Sequence, residues 1–129
     1  MAQTVSPTPP TQAPSAAAVV SKAVVRAARS LGLNNAALAS VLGLSEATIS
    51  RLASGSYTLD PGGKPYEMAT LLIRLFRSLD AMVGGEEASM RGWMRSHNFA
   101  LGGVPAEQIR TATGLVQAVD YVDGARARV

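Results

Sequence analysis

Each of Met68, Leu71, Leu72, Leu75, Phe76, Leu79, Met82 and Val83 has another of the set three or four residues away. That spacing puts all eight on one side of an α-helix, whereas a strand would scatter them over both of its faces. A wide apolar stripe, with Arg74 and Ser78 among the polar positions set opposite, demands a long core helix with partners on either flank. The rest of the 129-residue chain agrees with that demand. Hydrophobic residues make up 47% of it and aromatic ones only 5%, and Ala and Leu far outnumber Ile, Thr and Tyr. This balance favours helices over sheets, so the fold class expected is all-α.

Punctuation divides the chain into elements. Residues 1–15, MAQTVSPTPPTQAPS, hold four prolines, no charge and almost no bulky apolar group, and read as a disordered tail. From Ala16, the residues Val20, Val24, Ala27, Ala28 and Leu31 share a helical face, with Lys22, Arg26 and Arg29 off it, until Gly32 ends the helix. Asn34 caps a short second helix closed by Gly43, and Ser45 caps a third that runs from Glu46 to about Ser54 and stops at Gly55. A polar loop with Asp60, Pro61, Gly62, Gly63 and Pro65 reads as a hinge. It divides a lobe at residues 16–65 from another at residues 66–129. After the striped helix come a shorter one with Met90, Trp93 and Met94, a loop from Ser96 to Val104, a helix opened by Pro105, and a last helix from about Leu115.

The chain has no cysteine, so disulfides, thiolate chemistry and Cys-based zinc sites are excluded. No apolar run reaches the roughly 20 residues of a membrane helix, and no signal peptide is visible, so a cytoplasmic location away from membranes is expected. His97 is the sole histidine, Glu86 and Glu87 are adjacent, and Asp120 and Asp123 are expected on an exposed helical face as solvated charges. With no nucleotide-binding glycine motif, metal cluster or activated nucleophile, neither catalysis, nor a metal, nor a cofactor is expected. Charge is uneven. Between Ser15 and Pro65, five cations (Lys22, Arg26, Arg29, Arg51, Lys64) face two carboxylates, Glu46 and Asp60, a mildly basic half compatible with a nucleic-acid surface.

The most specific motif is NAALASVLGLSEATISRL, Asn35 to Leu52. Two short helices cross steeply when a small residue lies at the contact, a glycine makes the turn and apolar residues plug the joint. Ala39, Gly43 and Ile49 take those places, with Leu38, Leu42, Leu44 and Leu52 as the plug. This segment resembles the helix-turn-helix of the Xre and Cro/C1 type of phage repressor, whose third helix enters the major groove. The resemblance implies that Ser45, Glu46, Ala47, Thr48, Ser50, Arg51 and Ser54 face DNA. Ser45 suits a phosphate at the helix N-terminus, Arg51 a guanine or a phosphate, Ala47 or Thr48 a thymine methyl, and Glu46 a cytosine amino group. One cation on that helix implies modest affinity per copy, hence a homodimer on a palindromic operator.

Downstream, WMRSHNFALGGVPAEQIRTATGLVQAVDYVDG, Trp93 to Gly124, resembles the toxin-binding domain of the MbcA/ParS/Xre antitoxins. Trp93, Asn98, Leu101, Gly102, Gly103, Pro105, Ile109, Thr113, Gly114, Val119 and Val122 carry the likeness. Many members have an extra residue before the proline and a proline where His97 stands. The resemblance implies a type II antitoxin that represses its own operon and silences a RES-type, NAD-consuming toxin by covering its active site. The implied toxin-binding residues are Asn98, Leu101, Gly102, Gly103, Tyr121, Arg126 and Arg128. Trp93 suits core packing, and Gly102 and Gly103 suit a tight turn. Arg126 and Arg128 fit an anion-shaped pocket on a partner or, equally, complement the dipole of the last helix. The alternative is a free-standing phage-type repressor whose C-terminal half serves only dimerisation.

Overall fold

The computed structural model describes residues 15–128, in which all regular structure is helical. Helix α1 (Ala16–Leu31) is followed by α2 (Asn35–Leu42) and α3 (Glu46–Ser54), then by the long α4 (Lys64–Met82). Helix α5 (Glu87–Arg95), the single turn α6 (Pro105–Gln108) and α7 (Ala112–Ala127) complete the chain. Of the expected disordered tail, residues 1–14 lie outside the described residues. Ser15 is helical punctuation, because its hydroxyl accepts the Ala18 N–H at 3.1 Å and caps α1.

The apolar stripe decides the architecture. Leu72, Leu75 and Leu79 are fully buried, and burying a leucine contributes on the order of 1.5–3 kcal/mol. Helix α4 makes its main contacts with α7 and α1. Helix α1 contributes Val24, Ala27, Ala28 and Leu31, and α7 contributes Leu115, Ala118, Val119 and Val122. These residues belong to one continuous core that also takes in Met90 and Met94 of α5 and Leu38, Leu42, Ile49 and Leu52 of the α2–α3 pair. Trp93 packs half-buried against its edge, as an anchor should.

Three readings need correction. Ser78, assigned to the polar side of α4, is buried, because α7 covers that flank of the helix as well. The Asp60–Pro65 loop, read as a hinge, is tied down at its entrance. The buried Leu59 donates its N–H to Ser21 Oγ at 3.0 Å, and the same hydroxyl donates to Ala17 O at 2.6 Å. The last helix begins at Ala112, three residues before Leu115, because Thr111 is its N-cap and accepts the Gly114 N–H at 3.0 Å.

Gly114, one of the residues that carry the family likeness, sits inside that first turn for lack of space. A Cβ there would collide with the backbone carbonyl of Gln108 and lie 2.9 Å from Thr111 Oγ1. Gly92, in the middle of α5, has nothing within 4 Å of the same position. Gly114→Ala is therefore expected to destabilise the fold by about 3 kcal/mol through overpacking, while Gly92→Ala stabilises it by about 0.5–1 kcal/mol through helix propensity. Urea unfolding of the two variants beside the wild type checks both signs.

Candidate functional site

The α2–α3 joint is built as the motif requires. Ala39, Leu38, Leu42, Ile49 and Leu52 are buried and Leu44 half-buried. At the turn, Gly43 has φ 71°, a left-handed conformation that glycine adopts without strain. The N–H groups of Gly43 and Leu44 both donate to Ala39 O, at 2.8 and 3.0 Å. This closes α2 and turns the chain directly into the Ser45 cap of α3.

The outer surface of α3 carries the seven residues expected to face DNA. Ser45, Glu46, Ala47, Ser50, Arg51 and Ser54 are exposed and Thr48 is half-buried. Their hydroxyls are not independent of one another. Ser45 Oγ accepts the Thr48 N–H at 3.1 Å and lies 2.9 Å from Thr48 Oγ1, which in turn accepts from Arg51 at 3.3 Å. Ser54 Oγ donates to Arg51 O at 3.1 Å. The contact from Thr48 lays the Arg51 guanidinium back along the helix surface.

A second organised surface lies between α5 and α6. The N–H of Asn98 donates to Gly103 O at 2.8 Å, and Asn98 O accepts from Gly102 N at 2.8 Å and Gly103 N at 3.2 Å. Its side-chain Oδ1 accepts the Leu101 N–H at 3.0 Å, while Gln108 Nε2 donates to Leu101 O at 2.7 Å. Asn98, Leu101, Gly102 and Gly103 therefore come together in one locked turn. At its tip Phe99 is 92% exposed, flanked edge-on by the His97 ring at a centroid distance of 4.8 Å. The sequence reading passed over Phe99. Its only signal was a large apolar residue outside any helical period.

The remaining residues of the expected toxin-binding set lie elsewhere. Tyr121 is half-buried along α7, and Arg126 and Arg128 are exposed at its far end. A helix of 16 residues is about 24 Å long, so these arginines stand well away from the Asn98 turn at the other end of α7. Arg126 lines a groove of about 690 Å³ between α1, α4 and α7, floored by Val19, Val20, Ala23 and Ile73 and bordered by Arg74 and Arg77.

Asp123, expected as a solvated charge, is a partly buried member of that groove. It accepts a hydrogen bond from the buried Ser78 hydroxyl and forms an ion pair with Arg74 at 2.6 Å. The Ser78 hydrogen bond is the main reason its carboxyl is held below the ordinary aspartate range. Desolvation opposes this, and Arg74 and Arg126 add to the lowering. The pairing joins positions 45 residues apart, so no local pattern could announce it.

Residues 11–77 match the family profile of the antitoxin Xre-like helix-turn-helix domain, and residues 78–128 match that of the antitoxin Xre/MbcA/ParS C-terminal toxin-binding domain. The chain belongs to the Xre/MbcA/ParS antitoxins. The two matches meet inside α4, between Arg77 and Ser78, whereas the sequence reading divides the lobes at Pro65. One helix thus carries the end of the DNA-binding module and the start of the toxin-binding module. No curated protein gives a significant match to the antitoxin. Among its described residues no helix is long and apolar enough to cross a membrane.

The Asp123 cluster gives a signed pH dependence. A carboxyl whose folded-state pKa is lowered contributes stability above its unfolded value, near 4, and loses that contribution as pH falls through the folded value. Asp123→Asn is expected to lower the unfolding free energy by roughly 1–2 kcal/mol at pH 7. Urea titrations in acid should show the difference between variant and wild type closing below about pH 4.

Proposed function

We propose that this antitoxin silences a RES-type, NAD-consuming toxin by covering the entrance to its active site, and represses its own operon as a homodimer. The observation that carries this reading is the succession of two antitoxin modules that divide residues 11–128 between them without a gap. On this reading the chain is a cytoplasmic, non-enzymatic regulator, and NAD chemistry belongs to the partner.

Two surfaces divide the work. The exposed side of α3, from Ser45 to Ser54, meets the operator, with Arg51 as the reader of guanine or clamp on phosphate. The palindrome and the dimer supply the affinity that one such helix cannot. The toxin meets the Asn98–Gly103 turn, and Phe99 extends that set. A rigid, exposed aromatic on a locked turn loses little entropy on binding and fits a pocket of the kind that anchors protein interfaces. Tyr121, Arg126 and Arg128 extend the contact along α7, the arginines matching an anionic pocket in the toxin.

Inducing the neighbouring open reading frame in a heterologous host, with and without this chain, tests the pairing. Collapse of cellular NAD and arrest of growth only when the antitoxin is missing is the expected result. No change in either would favour the free-standing repressor. Where neutralisation is established, Phe99→Ala and the pair Arg126→Ala with Arg128→Ala should each weaken toxin binding by at least tenfold, about 1.4 kcal/mol, in titration calorimetry. Both leave operator binding unchanged.

A further inference from the structure

Helix α3 has a charge problem as a DNA-binding element. Its one cation, Arg51, is matched by Glu46, so the helix that meets a polyanion brings no net charge of its own. Phosphate neutralisation dominates the affinity of proteins for duplex DNA, and the missing charge must come from a neighbouring element.

Helix α1 carries it. Lys22, Arg26 and Arg29 are spaced by four and three residues, share one face and are all exposed. The ion pairs among the described residues are Lys64 with Glu67 and Arg74 with Asp123, so all three α1 cations are unpaired. Like charges at this spacing oppose helix formation, a cost that an anionic surface would relieve. Arg29 lies in the last turn and complements the helix dipole, but Lys22 and Arg26 have no such role. The three side chains line a recess of about 250 Å³ whose other wall is the C-terminal end of α3, from Leu52 to Gly55, and no carboxylate lines it. Through Ser54 the ridge is continuous with the outer surface of α3.

We propose that Lys22, Arg26 and Arg29 form a phosphate-binding ridge that extends the DNA footprint from α3 onto α1. This rests on the reading of α3 as the DNA-facing helix. The ridge contacts backbone only. It strengthens binding to every sequence alike and leaves the choice of operator to α3.

The test is fluorescence anisotropy of the full chain on a labelled random-sequence duplex of about 20 base pairs, at salt between about 50 and 200 mM. Each phosphate contact contributes about 0.9 to the slope of log affinity against log salt. The triple variant Lys22→Gln, Arg26→Gln, Arg29→Gln should lose about 2.7 from that slope and bind on the order of 10²-fold more weakly near 100 mM. Each single substitution should lose about 0.9, which keeps the test open should the triple variant fold poorly. The pair Arg77→Gln on α4 and Arg110→Gln between α6 and α7 should leave the slope as it is. Single and triple variants with the wild-type slope would overturn the ridge while leaving α3 as the reader. A wild-type chain that binds no duplex at any salt would overturn the DNA-binding reading and the ridge with it.

Discussion

Everything in this molecule depends on the burial of one stripe on two sides. Leu72, Leu75 and Leu79 are fully enclosed because α1 closes over α4 from one direction and α7 from another. Neither partner could be removed without exposing apolar surface that contributes on the order of 25 cal/mol per Å². The DNA-binding and toxin-binding modules divide within this same helix, so they are two regions of one core. Polar ties run across the same division. Arg91 of α5 donates to Arg29 O at 2.9 Å and to Ser30 O at 3.4 Å at the end of α1, and Asp123 of α7 pairs with Arg74 of α4.

That arrangement bears on how occupancy at one surface is felt at the other. The helix that carries the basic ridge, α1, is held at its C-terminus by Arg91 of the toxin-binding module. The groove between α1, α4 and α7 brings the start of α1 to the end of α7. Helix α4 packs against both α7 and α1, so the two surfaces are joined through the α4 core. The Leu59 N–H, bonded to Ser21 Oγ, ties the start of the following loop to α1 as well.

Much of this was legible in the sequence wherever the cause is local. Helix limits could be read because Asn34 and Ser45 accept the N–H three residues on, and because Gly32, Gly43 and Gly55 close helices in left-handed geometry. The plug of the α2–α3 joint followed from the small and apolar residues at its crossing. What escaped notice depends on distance in the chain. Ser78 and Asp123 look like surface residues until α7 is laid against α4, and the need for glycine at position 114 is invisible until Gln108 is placed behind it. The toxin-binding set reads as one patch along the chain, yet the length of α7 separates the Asn98 turn from Arg126 and Arg128. Phe99 carries no periodic signal at all, since its exposure is a property of the locked turn beneath it.

The central claim is that two functional modules share one cooperative core through α4, and differential scanning calorimetry of the full chain tests it most directly. The account predicts a single transition whose calorimetric and van't Hoff enthalpies agree, about 80 kcal/mol for residues 15–128 at about 0.7 kcal/mol per residue. Two resolved transitions, or a van't Hoff enthalpy close to half the calorimetric one, would mean that the modules unfold independently and would contradict it.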